Sequence, residues 1–136
     1  MNYGENVFQL ENPDQWGCQV RHFTYSHTML DIRLVGPGPD GWFSLGFRKV
    51  RYISGPTLWT GANFQAFGLD DEALDEFIAH HPLPASVLGF KNEYVLFHLP
   101  LEDHQKVIII ANAGWLSKQP YYDAEYKILV SIPPLS

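Results

Sequence analysis

Residues Thr28 to Val35 read Thr-Met-Leu-Asp-Ile-Arg-Leu-Val, which places Leu30, Ile32 and Leu34 on one side and Met29, Asp31 and Arg33 on the other. Alternation of this kind constrains the fold more than any other feature of the chain, because residues two apart in a strand share a face and one face is apolar. Further stretches suit strands at Gly17 to Tyr25, Trp42 to Ile53, Glu93 to Leu99, Lys106 to Ala111 and Tyr121 to Ile132. One helical pattern interrupts them, from Asp70 to His81, with Asp70 as a cap, acids in the first turns and Pro82 as a stop. The expectation is an α+β fold in a single domain: a twisted antiparallel sheet of about six or seven strands, barrel-like or sandwich-like, with one principal helix packed on it.

Particular elements follow from local chemistry. Gly36-Pro-Gly-Pro-Asp-Gly41 is dense in turn residues and predicts a hairpin connection. Phe43, Leu45 and Phe47 alternate, but the apolar set resumes at Val50 and Tyr52 with changed parity, which predicts a bulge near Arg48-Lys49. Ser54 to Asn63 fits neither strand nor helix periodicity and reads as an ordered loop. Val107-Ile-Ile-Ile-Ala111 lacks alternation, as expected of a strand covered on both faces. In the last strand Tyr122, Ala124, Tyr126, Ile128, Val130 and Ile132 share a face.

Composition narrows the function classes. The 136 residues are 46% hydrophobic, 15% aromatic and 18% charged, a balance that folds rather than remaining disordered. Nine basic against fifteen acidic residues give a formal charge of −6, which disfavours nucleic acid and anionic membrane surfaces and favours a basic protein partner. The basic run Arg48-Lys49-Val50-Arg51 has no glycine loop beside it and reads as a charged strand end. A single Cys18 excludes an internal disulfide framework. The amino-terminal residues carry no signal pattern and no segment is long enough to span a bilayer, so the reading predicts a cytoplasmic protein.

Candidate chemistry is sparse. His98 with Asp103 and His104, flanking a short hairpin, is the nearest approach to a divalent-metal set of two histidines and a carboxylate. It supports an alternative reading, a small-ligand-binding or metal-dependent enzyme with a His-lined pocket; otherwise no cofactor is called for. His80 and His81 suit a helix C-terminus and need no ligand. Cys18 and His22 share strand parity, which would place them on one face, yet the commoner role of such a cysteine is a small buried hydrophobe. No nucleophile elbow is present.

The favoured reading is noncatalytic protein binding. Asp71, Glu72, Asp75 and Glu76 concentrate negative charge on the predicted helix, where it can steer a basic partner. Trp59, followed by Thr60-Gly-Ala-Asn63, combines a large ring with polar groups and completes the expected partner-binding surface. Trp16, Trp42 and Trp115 also fall at strand ends or in loops, where rings either stack on a partner or plug the ends of a sheet. In size and charge the chain is similar in kind to bacterial immunity proteins of toxin systems, a likeness that implies inhibition or regulation of another protein. Edge strands leave a route to a homodimer.

Overall fold

The structure, a computed structural model, describes residues 2–24, 29–36, 42–81, 83–117 and 128–133. Among the described residues eleven strands run in chain order as β1 Asn2–Gly4, β2 Gly17–Thr24, β3 Met29–Val35, β4 Trp42–Arg48, β5 Tyr52–Ser54, β6 Leu58–Thr60, β7 Gln65–Gly68, β8 Val95–Pro100, β9 Lys106–Ala111, β10 Ala113–Ser117 and β11 Ile128–Ile132. They form two antiparallel sheets rather than one. The first has the order β1-β7-β8-β9-β5, the second β11-β10-β4-β3-β2-β6. The sheets face each other without closing into a barrel, so the sandwich form of the expectation holds at this level.

Alternation builds the shared core. Leu30, Ile32 and Leu34 of β3 and Leu45 and Phe47 of β4 point inward from the second sheet, meeting Phe97 and Leu99 of β8 and Val107, Ile109 and Ala111 of β9. Phe8, Phe47, Phe64 and Phe97 interlock at its centre. Phe47 meets Phe97 edge-on with centroids 5.0 Å apart, and Phe8 stacks on Phe97 at 5.8 Å. Both geometries suit the ring quadrupole.

β9 is the strand that the sequence marks as covered on both faces, and it is. Val107, Ile109 and Ala111 enter the core between the sheets, whereas Ile108 and Ile110 join Leu96, Leu69, Leu74, Leu83, Val87 and Tyr94 in a second cluster. That cluster is the contact between the first sheet and a thin helical layer, made of a 3-10 turn at Glu72–Leu74 continuing into α1, Asp75–His80, and of α2, Ala85–Leu88. The single long helix expected over 70–81 is thus a shorter composite with a second short helix beside it. The cap also shifts by one residue: the Asp71 carboxylate, not Asp70, accepts the Ala73 N–H at 2.9 Å. At the other end the His81 Nδ1–H donates to the Phe77 carbonyl at 2.9 Å, with the two rings stacked. Pro82 lies outside the described residues.

The parity change at Arg48-Lys49 is not a bulge. β4 ends there, Lys49 adopts the left-handed region at φ 53°, and the chain crosses from the second sheet to the first. β9 and β10 cross beside it in the opposite direction, separated by Asn112 alone. Because β4 pairs with β10 and β5 with β9, the two crossings form one bent antiparallel ribbon shared by both sheets. Asn112 clasps it: its N–H donates to the Arg48 carbonyl, its Oδ1 accepts from the Arg48 guanidinium at 3.1 Å, and its Nδ2 donates to the Glu93 carbonyl at 2.8 Å.

The expected hairpin turn at Gly36 to Gly41 lies outside the described residues from residue 37 onward, although β3 and β4 do pair. Residues 121–127 of the expected last strand also lie outside them; β11 supplies its carboxyl-terminal part. Among the described residues no helix is long and apolar enough to cross a membrane.

Candidate functional site

One end of the sandwich opens into a cleft of about 660 Å³, within the range usual for ligand sites. Two walls form it. The first is β6 with the loop that follows, and the second is the turn end of the β8–β9 hairpin, from Leu99 to Gln105.

Backbone chemistry fixes the first wall. Gly61 sits at φ 119°, a conformation that favours glycine, and its N–H donates to the Trp16 carbonyl at 2.8 Å. Its carbonyl in turn accepts the Trp59 indole N–H at 2.8 Å and lies 3.3 Å from Cys18 Sγ. Ala62 N–H donates to the Pro13 carbonyl at 2.8 Å, which holds the 3-10 turn Pro13–Gln15, and hence Asp14, against the cleft. Asn63 accepts the Asn6 N–H through its Oδ1 at 2.8 Å.

The second wall ends in a tight turn. Asp103 and His104 both have positive φ, 58° and 61°, and Gln105 N–H donates to the Glu102 carbonyl at 3.1 Å. That is the primed type I geometry whose twist matches antiparallel strands. Glu102 and Asp103 therefore project at the rim of the cleft opposite Asp14 and the exposed β6. Asp14, Glu102 and Asp103 line the space, with Thr60, Asn63 and Gln105 as uncharged polar partners and Leu58, Leu99, Pro100 and Leu101 as apolar ones; among the described residues no lysine, arginine or histidine does.

Two of the sequence-predicted site residues, Trp59 and Asn63, meet here, together with Asp103 from the proposed metal set. Trp59 serves differently from the expectation. The residue is only 9% exposed and packs in the core between the sheets, so it plugs the sandwich end rather than standing out as a stacking platform. Asp71, Glu72, Asp75 and Glu76 sit elsewhere. They belong to the helical layer on the outer face of the first sheet, where Glu72, Asp75 and Glu76 are exposed and the Ala73 N–H holds the Asp71 carboxyl below its ordinary range. The acidic helix and the Trp59 loop are therefore two surfaces on different sheets, not adjoining parts of one. Asp14 and Glu102 carry no local sequence pattern that marks them as site residues.

His98, Asp103 and His104 do not come together as ligands. His98 lies in β8 with Nδ1 3.3 Å from Gln65 Oε1, whereas Asp103 and His104 occupy the hairpin tip. Burial, reinforced by the nearby Lys106 charge, pushes the His98 imidazole below its ordinary pKa. Among the described residues no group of three or more His, Cys, Asp or Glu could hold a metal ion.

No family model, curated protein or solved structure matches this chain. The site must be read from its own chemistry.

Cys18 and His22 are also separated. The β2–β3 register slips between Val20 and His22, so Val20 faces Ile32 while His22 faces Asp31. Cys18 enters the core, where burial pushes its thiol up to about 12, far from a thiolate at neutral pH. His22 instead belongs to the outer face of the second sheet beside Asp31. Burial pushes the Asp31 carboxyl above its ordinary 3.8, against the opposing pull of His22, Arg21 and the Ser44 hydroxyl. An acid whose folded pKa is raised destabilises the fold once ionised: the penalty is absent below the unfolded pKa and is fully felt above the folded one. Asp31→Asn should therefore raise the melting temperature at pH 7 and leave it nearly unchanged near pH 3. Melting curves of both proteins at the two pH values check this; an equal shift at both would assign the effect to packing instead.

A second cavity, about 370 Å³, is apolar. Phe8, Leu10, Trp16, Phe43, Leu116 and Val130 line it, with Gln9 and Glu11 as the polar members. The Trp16 ring closes one side, lying 5.1 Å from Phe43 and over Gly36, where a Cβ would come within 2.8 Å of the indole.

Proposed function

We propose that the protein is a noncatalytic binding module for a basic protein partner, as an inhibitor or regulator would be. The observation that carries the reading is the cleft lined by Asp14, Glu102 and Asp103 with no cation among its described lining residues. Uncompensated negative charge in a concave, partly apolar space favours a positively charged group, and low-dielectric walls focus its field. The exposed acids of the helical layer form a separate surface that adds to the long-range field. In this reading the cleft sets the lifetime of the complex, and Asp75 and Glu76 raise only the rate of encounter.

A peptide of alternating lysine and valine serves as the probe. Asp14→Asn, Glu102→Gln and Asp103→Asn together should weaken its binding about tenfold, since three exposed charge contacts contribute about 0.2–1 kcal/mol each. Asparagine tolerates the left-handed backbone at 103, so the turn survives the substitution. Asp75→Lys with Glu76→Lys should slow association while leaving dissociation unchanged. Titration calorimetry and stopped-flow association at low ionic strength measure both. Equal affinity for the wild type and the neutralised cleft would overturn the reading.

A further inference from the structure

β6 ends the second sheet among the described residues, and its hydrogen-bonding phase is fixed by its neighbour. Val20 N–H donates to the Thr57 carbonyl, Gly61 N–H donates to the Trp16 carbonyl, and Trp59 lies opposite Cys18. Antiparallel strands alternate bonded and non-bonded positions, so Thr57, Trp59 and Gly61 turn their peptide groups toward β2. The N–H and C=O of Leu58 and Thr60 then point the other way, to the open side of the strand. All three residues of β6 line the acidic cleft, which makes that open edge part of its wall.

Sheet edges are ordinarily guarded by bulges, charges or covering segments. β1 has an irregular register and Gly4 at φ 88°, and β5 is preceded by Lys49 and Arg51. β6 has the uncharged sequence Leu-Trp-Thr, with Leu58 70% exposed, and among the described residues only its brevity protects it. We propose that β6 is a docking edge, and that the basic partner inserts an extended segment which adds to the second sheet as a further strand, with cationic side chains reaching Asp14, Glu102 and Asp103. The inference rests on the proposed recognition of a basic partner and specifies how the partner is held. Main-chain bonds to Leu58 and Thr60 supply the register, and the side-chain alternation of the incoming strand presents every second residue to the carboxylates. A second copy of this chain fits the edge poorly, because a two-fold edge-to-edge pair would bring both sets of three carboxylates together.

Amide hydrogen exchange read by NMR, with the alternating lysine-valine peptide as ligand, tests the mode of binding. Saturating peptide should slow exchange of the Leu58 and Thr60 amides about tenfold or more, while the Trp59 amide, already bonded to β2, changes little. Thr60→Pro provides the second arm. Proline is tolerated on an edge where its nitrogen faces away from the sheet, and here it removes one outward donor without touching the bonds to β2. Peptide affinity should fall about tenfold, the equivalent of 1.4 kcal/mol. If the peptide binds and is lost on neutralising the three carboxylates, yet the Leu58 and Thr60 amides exchange as before, strand addition is overturned while the basic-partner reading stands. If the peptide does not bind, or binds regardless of the carboxylates, both are overturned. Concentration-dependent protection of these two amides in the free protein would assign the edge to a second copy and overturn the proposal. Should Thr60→Pro fail to fold, exchange in the wild type decides alone.

Discussion

Replacing Phe97 with alanine should lower the stability of the fold by about 3–5 kcal/mol, the range for deleting a fully buried phenylalanine. Phe97 has no exposed surface and is the ring through which the sheets touch: it stacks on Phe8, meets Phe47 edge-on, and lies opposite Ala66 and Ile109 in its own sheet. Gly114 in β10 is shaped to it, since a Cβ there would come within 2.9 Å of Phe97 Cζ and 3.0 Å of Phe47. Such close fitting from both sheets leaves little scope for collapse around the missing ring, which puts the cost toward the upper part of the range. For a chain of this length that loss corresponds to a fall in Tm of roughly 10–20 °C. Phe97→Leu keeps most of the volume and should cost less than half as much. Urea unfolding at pH 7 measures both. A loss below about 1 kcal/mol for the alanine variant would mean that the two sheets do not share this centre.

The strands that alternate, or that are uniformly apolar, are legible in the sequence because burial leaves a periodic record. β3 is found with its inward set as read, and β9 is covered on both faces as its Ile-rich run implies. The division into two sheets is not legible in the same way. A bulge and a crossing both shift the side-chain parity by one, so Arg48-Lys49 looks alike under either; only the partners of β4 and β5 tell them apart. Short strands escape for a different reason. β1, β6 and β7 have three or four residues each, too few for a period, and they owe their conformation to pairing with longer neighbours. The helical layer shows the same override, as Asp70 has the residue type of a cap but Asp71 has the geometry.

The site was partly legible for related reasons. Trp59 and Asn63 stand out in the sequence as a ring beside polar groups, and both do border the cleft, but which side of β6 faces the core depends on its pairing with β2. Asp14 and Glu102 gave no local signal. They are ordinary surface acids about ninety positions apart, brought to one opening by the Pro13 turn and the Asp103-His104 hairpin. The Asp-His pair at 103 and 104 carried a different message from the one read in it: both residues tolerate positive φ, and a primed turn needs two such residues in succession. The single-residue slip at Val20–His22 likewise moved His22 from the face of Cys18 to that of Asp31. A nucleophile argument built on strand parity fails at one bulge.

Ile109→Ala and Ile110→Ala test the layered architecture most severely, because adjacent residues of one strand serve two different cores. Ile109 is fully buried between the sheets opposite Phe97, and Ile110 is fully buried under the helical layer opposite Leu96 and Tyr52. Each substitution should cost about 2–5 kcal/mol. Their side chains point to opposite faces and share no cluster, so the double variant should lose close to the sum of the two, with any departure reporting coupling through the shared backbone of β9. Ile109→Ala with Phe97→Ala should depart from additivity by about 0.5–3 kcal/mol, since those side chains share the same space. The decisive member is Ile110. On a sheet with one solvated face the position would tolerate alanine at a cost within about 0.5 kcal/mol, and the helices would be ornaments on its surface. A cost close to that of Ile109→Ala instead makes the thin layer of α1 and α2 a full partner in the fold, with a loss in the double variant comparable to the whole stability of a domain of this size, about 5–15 kcal/mol.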